Sequence, residues 1–132
     1  NGKHEDAIDA LTRYLDIADD KAEVLAYSAL GDSYFKTGEF DKAAVYLKRA
    51  AFLTDDKKEL GNLYYNIGNS FIELAEYEEG LIWYEKALLL RPDYASVLKE
   101  LSASLARKGD KEAAARILSL NALKAAPQGA AN

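Results

Sequence analysis

Four polar residues fall on one stripe of a single helix. Asn62, Asn66, Asn69 and Glu73 are spaced i, i+4, i+7 and i+11, which places them along one helical face. Asparagine is a mediocre helix former, so propensity does not explain three of them on one stripe. Each amide carries donors and an acceptor, and can grip an extended peptide backbone from both sides. That is binding chemistry with little sequence preference. Tyr65 follows Tyr64 of the packed face and adds a planar ring towards the stripe's edge, which suits recognition.

Catalysis has less to draw on. His4 is the only histidine, read as a residue of a polar turn, and His4-Glu5 lacks the second histidine of a zinc-protease helix. The pairs Asp19-Asp20, Asp55-Asp56 and Glu78-Glu79 stand at expected helix starts, where the helix dipole favours negative charge. They read as caps and not as metal ligands. The glycines are spaced for helix packing and form no phosphate loop. With no cysteine, disulfides, thiol nucleophiles and cysteine-ligated zinc are excluded. The expectation is a chain without catalytic residues, metal or cofactor.

A net charge of −5 with intermixed lysines and no basic cluster is a poor match to nucleic acid. No apolar run approaches the ~18 residues of a membrane span, so no membrane insertion is expected. Absence of cysteine fits a reducing compartment and weakly favours the cytoplasm, with a periplasmic or exported location as the alternative. No signal peptide is visible, and the chain does not begin with Met.

These residues need helices to position them. Apolar residues make up 49% of 132, enough for a packed core, and they recur at helical spacing. The pattern predicts seven helices, at about 4–17, 22–37, 40–53, 57–74, 77–90, 94–108 and 111–125. Gly38, Gly109 and Pro127 break it, as does Arg91-Pro92-Asp93, with Asp93 as a cap.

The pattern repeats. Ala7, Ala43, Gly80 and Ala114 each open a second helix and are separated by 36, 37 and 34 residues. Gly2, Gly38, Ala75 and Gly109, at the turns, keep the same three gaps. Leu30, Ile67 and Leu101 align in the first helix, as do Tyr34, Phe71 and Leu105. In the second helix Leu11, Leu47, Tyr84 and Leu118 align. Gly68 and Gly80 fall where paired helices must approach closely. One helix pair cannot bury its faces alone, so neighbouring pairs must stack.

The chain resembles the tetratricopeptide repeat family. Gly61–Tyr94 carries Tyr64, Ile67-Gly68, Phe71, Ala75, Gly80, Tyr84, Ala87 and Pro92 at the family's pattern positions. Val24–Lys57 carries Tyr27, Leu30-Gly31, Tyr34, Gly38, Ala43, Leu47 and Ala50. Ala95–Gln128 is a weaker copy, with Asn121 where a small residue is expected. The resemblance implies an all-α, right-handed α-solenoid of antiparallel helix pairs, about three and a half repeats. Its parts are a truncated repeat at 1–20, repeats at 21–57 and 58–94, a degenerate repeat at 95–126, and a flexible tail at 127–132.

The resemblance also implies a concave groove lined by the first helix of each pair. Asn62, Tyr65, Asn66, Asn69 and Glu73 then face that groove, flanked by Asp32, Phe35, Lys36, Lys99 and Arg107. A peptide or helical segment of a partner protein is the expected ligand. The basic clamp that some members use for a C-terminal carboxylate is not matched, since Ala29, Asp32, Asn62, Ser96 and Glu100 do not supply it. A second expectation comes from the ends. Leu11, Leu15 and Ile17 at one end, and Leu118, Leu120 and Leu123 at the other, read as uncovered, as in a piece of a longer repeat array or, alternatively, in copies that stack into a homo-oligomeric scaffold.

Overall fold

The computed structural model describes residues 2–15 and 20–130, with side chains described for 2–15 and 22–121. Among the described residues seven helices follow one another: α1 (Gly2–Leu15), α2 (Asp20–Lys36), α3 (Phe40–Leu53), α4 (Lys57–Glu73), α5 (Tyr77–Leu90), α6 (Tyr94–Arg107) and α7 (Lys111–Ala130). Each packs mainly on its neighbour in sequence, while α5 touches both α6 and α7. The architecture is an all-α solenoid of helix pairs.

The turns show why the pairs form. Gly38, Ala75 and Gly109 adopt φ of 85°, 60° and 97°, the left-handed conformation that ends a helix and reverses the chain. Glycine enters it freely; Ala75 does so at a steric penalty. Gly2, aligned with these turns by sequence, instead opens α1, and His4 lies within that helix. At Gly68 an added Cβ would sit 2.5 Å from the Tyr84 ring and 3.1 Å from the Gly80 carbonyl. The missing side chain lets α4 and α5 approach closely.

The core has two clusters. Val24, Leu47, Leu63, Ile67 and Phe71 form one. Ile72, Tyr84, Leu88, Leu98, Leu105, Ile117 and Leu120 belong to the other. They meet on α4, which contributes Ile67 and Phe71 to the first and Ile72 to the second. One helix serving two cores is what makes the repeats interdependent.

Several local expectations change. Asp56 caps α4 through a 2.9 Å bond from the Glu59 N–H. Asp93 makes no capping bond and pairs with Arg91 at 2.7 Å instead. Asp19, Asp20, Ile17 and Leu123 lie outside the described side chains. Leu118 is 52% exposed, whereas Ile117 and Leu120 are buried. Ala113, Ile117 and Leu120 form an unbroken i, i+4, i+7 apolar stripe, while the aligned stripe of Ala114 and Leu118 runs into Asn121. α7 therefore buries a face one residue earlier, and the Asn121 amide donates to the Ala95 carbonyl at 2.8 Å. α7 also runs through Pro127 to Ala130, beyond the expected end at 125. Pro127 has no N–H to continue the hydrogen-bond ladder, and the helix ends within one turn of it.

Candidate functional site

α2 and α4 carry the polar stripe residues, and α3 closes the space between them. Asp32, Phe35 and Lys36 of α2, Asn66 and Asn69 of α4 and Leu47 of α3 line one cavity of about 270 Å³. The spacings i, i+3 and i+4 on α2, and i, i+3 on α4, turn each set towards the cavity. Leu47 gives it an apolar floor. Phe35 is held edge-on against Phe40 at 5.0 Å, at the first residue of α3. Burial pushes the Asp32 carboxyl above its ordinary pKa, and Lys36 one turn away pulls it part of the way back.

The asparagines are not equivalent. Tyr84, fully buried, donates a 2.6 Å hydrogen bond to Asn69 Oδ1. Tyr94 donates to Asn62 Oδ1 at 3.1 Å. Both bonds tie α4 to the following helices. Asn66 is half-buried, and its amide makes no hydrogen bond among the described residues. Sequence reasoning missed the tyrosine ties, although Tyr84 and Tyr94 stand at positions where a buried phenol needs an acceptor.

The remaining stripe residues go elsewhere. Tyr65 is half-buried between Tyr84 and Tyr94, with ring centroids 5.7 and 5.2 Å away. It packs at the inter-repeat joint. Asn62 sits beside Arg91 in a separate shallow pocket with Asp56, Lys58 and Glu59. Glu73, Lys99 and Arg107 are exposed and do not line the central cavity.

An apolar floor, one unengaged amide and an opposed pair of charges can bind a peptide segment. Among the described residues, no group of three His, Cys, Asp or Glu side chains is placed to hold a metal ion. No helix among them is long and apolar enough to cross a membrane.

The tetratricopeptide repeat pattern matches residues 24–51 and 61–94, the two copies that build this cavity. Those two segments are tetratricopeptide repeats. A protein of Guillardia theta, uncharacterized protein ycf37, is 34% identical over 83 residues, covering 61% of this chain. The chain spans about half the length of that relative, 47% of it. The crystal structure of MamA superposes with a TM-score of 0.67 at 22% identity, covering 96% of this chain and 71% of MamA. At that identity the likeness concerns the fold. Repeats of this family generally serve as protein-interaction modules, which supports a protein-interaction scaffold.

Proposed function

We propose that the chain is non-enzymatic and holds a peptide or helical segment of a partner protein in the α2/α4 cavity. The observation that supports this reading is the convergence of Asp32, Phe35 and Lys36 with Asn66 and Asn69 on one space of about 270 Å³. Asn66 bonds the ligand backbone. Asn69 contributes its amide nitrogen, since its oxygen is engaged by Tyr84. Phe35 and Leu47 seat an apolar side chain. Asp32 and Lys36 select charge, with Glu73, Lys99, Arg107, Asn62 and Tyr65 further along the groove. The test is partner binding by Asn66→Ala and Lys36→Ala, each shown to be folded. If both retain the parent's affinity, the cavity is not the binding site.

A second reading, end-to-end stacking of copies, draws on the exposure of Leu118, 52% open on α7. Leu120 is core, so Leu118→Glu is the informative substitution. A sedimentation profile that stays monomeric at high concentration for the parent removes this reading.

A further inference from the structure

Four apolar side chains stand on helix faces that solvent should keep polar. Val45 and Phe52 lie seven residues apart on α3 and are 47% and 89% exposed. Ile82 and Leu89 lie seven apart on α5 and are 51% and 68% exposed. Both steps from α3 to α5, Val45 to Ile82 and Phe52 to Leu89, are 37 residues, the spacing of the repeat itself. The same outward positions are therefore apolar in both well-formed copies. At about 100° per residue, Val45 lies about 200° and Phe52 about 140° around α3 from Leu47. Leu47 lines the α2/α4 cavity, so this is a different face.

Cations sit between the apolar residues. Arg49 and Lys86 occupy equivalent repeat positions, and each cation lies over a pair of rings. Arg49 stands 5.0 Å from Tyr46 and 5.9 Å from Tyr27; Lys86 stands 4.4 Å from Trp83 and 5.8 Å from Tyr64. Lys48 crosses from α3 to the Trp83 ring of α5 at 5.3 Å, which joins the two faces. Beside Phe52 opens a cavity of about 350 Å³ lined by Tyr27, Lys48, Arg49, Leu53 and Glu23. Rings that hold the cations in place reduce the side-chain freedom lost on binding.

We propose that this outer face is a second docking surface, and that its occupant is an acidic amphipathic helix of a partner protein. Charge complementarity carries the choice. In a chain of net charge −5, Lys48, Arg49 and Lys86 outnumber Glu23 and Glu85 among these four exposed apolar side chains, so an acidic segment fits here and the same face of a second copy, carrying like charge, does not. Anchors at i and i+7 are about 10.5 Å apart along a helix, which matches the separation of Val45 from Phe52 and of Ile82 from Leu89. Glu23 and Glu85 lie on the same face. A peptide can place its acids on the cations and away from these two carboxylates, whereas a uniformly anionic bilayer cannot.

The probe is a fluorescein-labelled synthetic peptide of about four helical turns, with Leu and Phe on one face and Asp and Glu on the other. A control carries Lys in place of the acids, and phosphatidylserine vesicles form a third arm. The expected result is that the acidic peptide binds, with anisotropy that falls as salt rises. Phe52→Ser and the double substitution Lys48→Glu/Arg49→Glu each weaken it about tenfold or more, while Asn66→Ala leaves it unchanged. Bound peptide also protects Lys48 and Lys86 of the unaltered protein from amine labelling. The proposal is overturned if the acidic peptide does not bind, if the basic control binds as tightly, if Phe52→Ser has no effect, or if only the vesicles bind.

Discussion

The buried Tyr84 hydroxyl donates a 2.6 Å hydrogen bond to Oδ1 of Asn69, across the α4/α5 pair. Burial pushes the Tyr84 phenol well above its ordinary pKa, so it remains a donor throughout the working pH range. Asn69 is thus a structural residue on the wall of a binding cavity. Asn69→Ala leaves a buried hydroxyl unpaired and destabilises the fold by about 1–3 kcal/mol. Tyr84→Phe removes the bond more gently, by about 1 kcal/mol. Denaturant melts check both, and equal stability of Asn69→Ala and the parent contradicts the assignment.

The Gly68 site has no slack. A methyl there meets the Tyr84 ring at 2.5 Å and the Gly80 carbonyl at 3.1 Å. Gly68→Ala is expected to destabilise by about 1–3 kcal/mol, because one contact is backbone and the other a fully buried ring. At Gly61 the obstacle is the flexible Arg91 side chain, with Cγ 2.5 Å away, so Gly61→Ala is milder. Thermal melts that rank the two in reverse order refute this.

Ala75 holds a left-handed turn at φ 60° without being glycine. Ala75→Gly relieves about 1–2 kcal/mol of strain and loses about 0.4–1 kcal/mol to the freer unfolded chain. A small net gain in stability follows. Gly38→Ala and Gly109→Ala run the exchange backwards and lower the melting temperature.

Asp32 provides a pH signature. Burial raises its carboxyl pKa in the folded state, with Lys36 opposing. The unfolded chain therefore ionises first as pH rises, and the fold loses stability as pH climbs through the raised value. Asp32→Asn should melt above the parent at pH 7, and the gap should close on acidification through the folded pKa. A gap that widens on acidification means the carboxyl is held down instead.

Much of this was legible in the sequence because two constraints there are strict. Left-handed turns need glycine or a strained substitute, which marks Gly38, Ala75 and Gly109. Close helix approach needs a missing side chain, which marks Gly68 and Gly80. The asparagine stripe was legible as a face, but spacing does not show that a tyrosine from another helix takes the oxygen of Asn69 or Asn62. In α7 the aligned column failed because Ala113, Ile117 and Leu120 bury better than the register that includes Asn121. Asp93 was read as a cap from position alone, and Arg91, two residues away, claims its carboxylate and lowers its pKa. The outer apolar face went unread because Val45, Phe52, Ile82 and Leu89 sit within helices whose other apolar residues are core.

The central claim is that a partner segment lies in the α2/α4 cavity. Its most direct test is affinity capture from lysate of the source organism, with the parent run beside a folded Asn66→Ala/Lys36→Ala variant. Asn66 and Lys36 line the cavity, and neither carries a tie such as the one Tyr84 makes to Asn69. A partner retained by the parent and lost by the variant is the predicted result. A partner retained equally by both contradicts the claim and moves binding away from the groove.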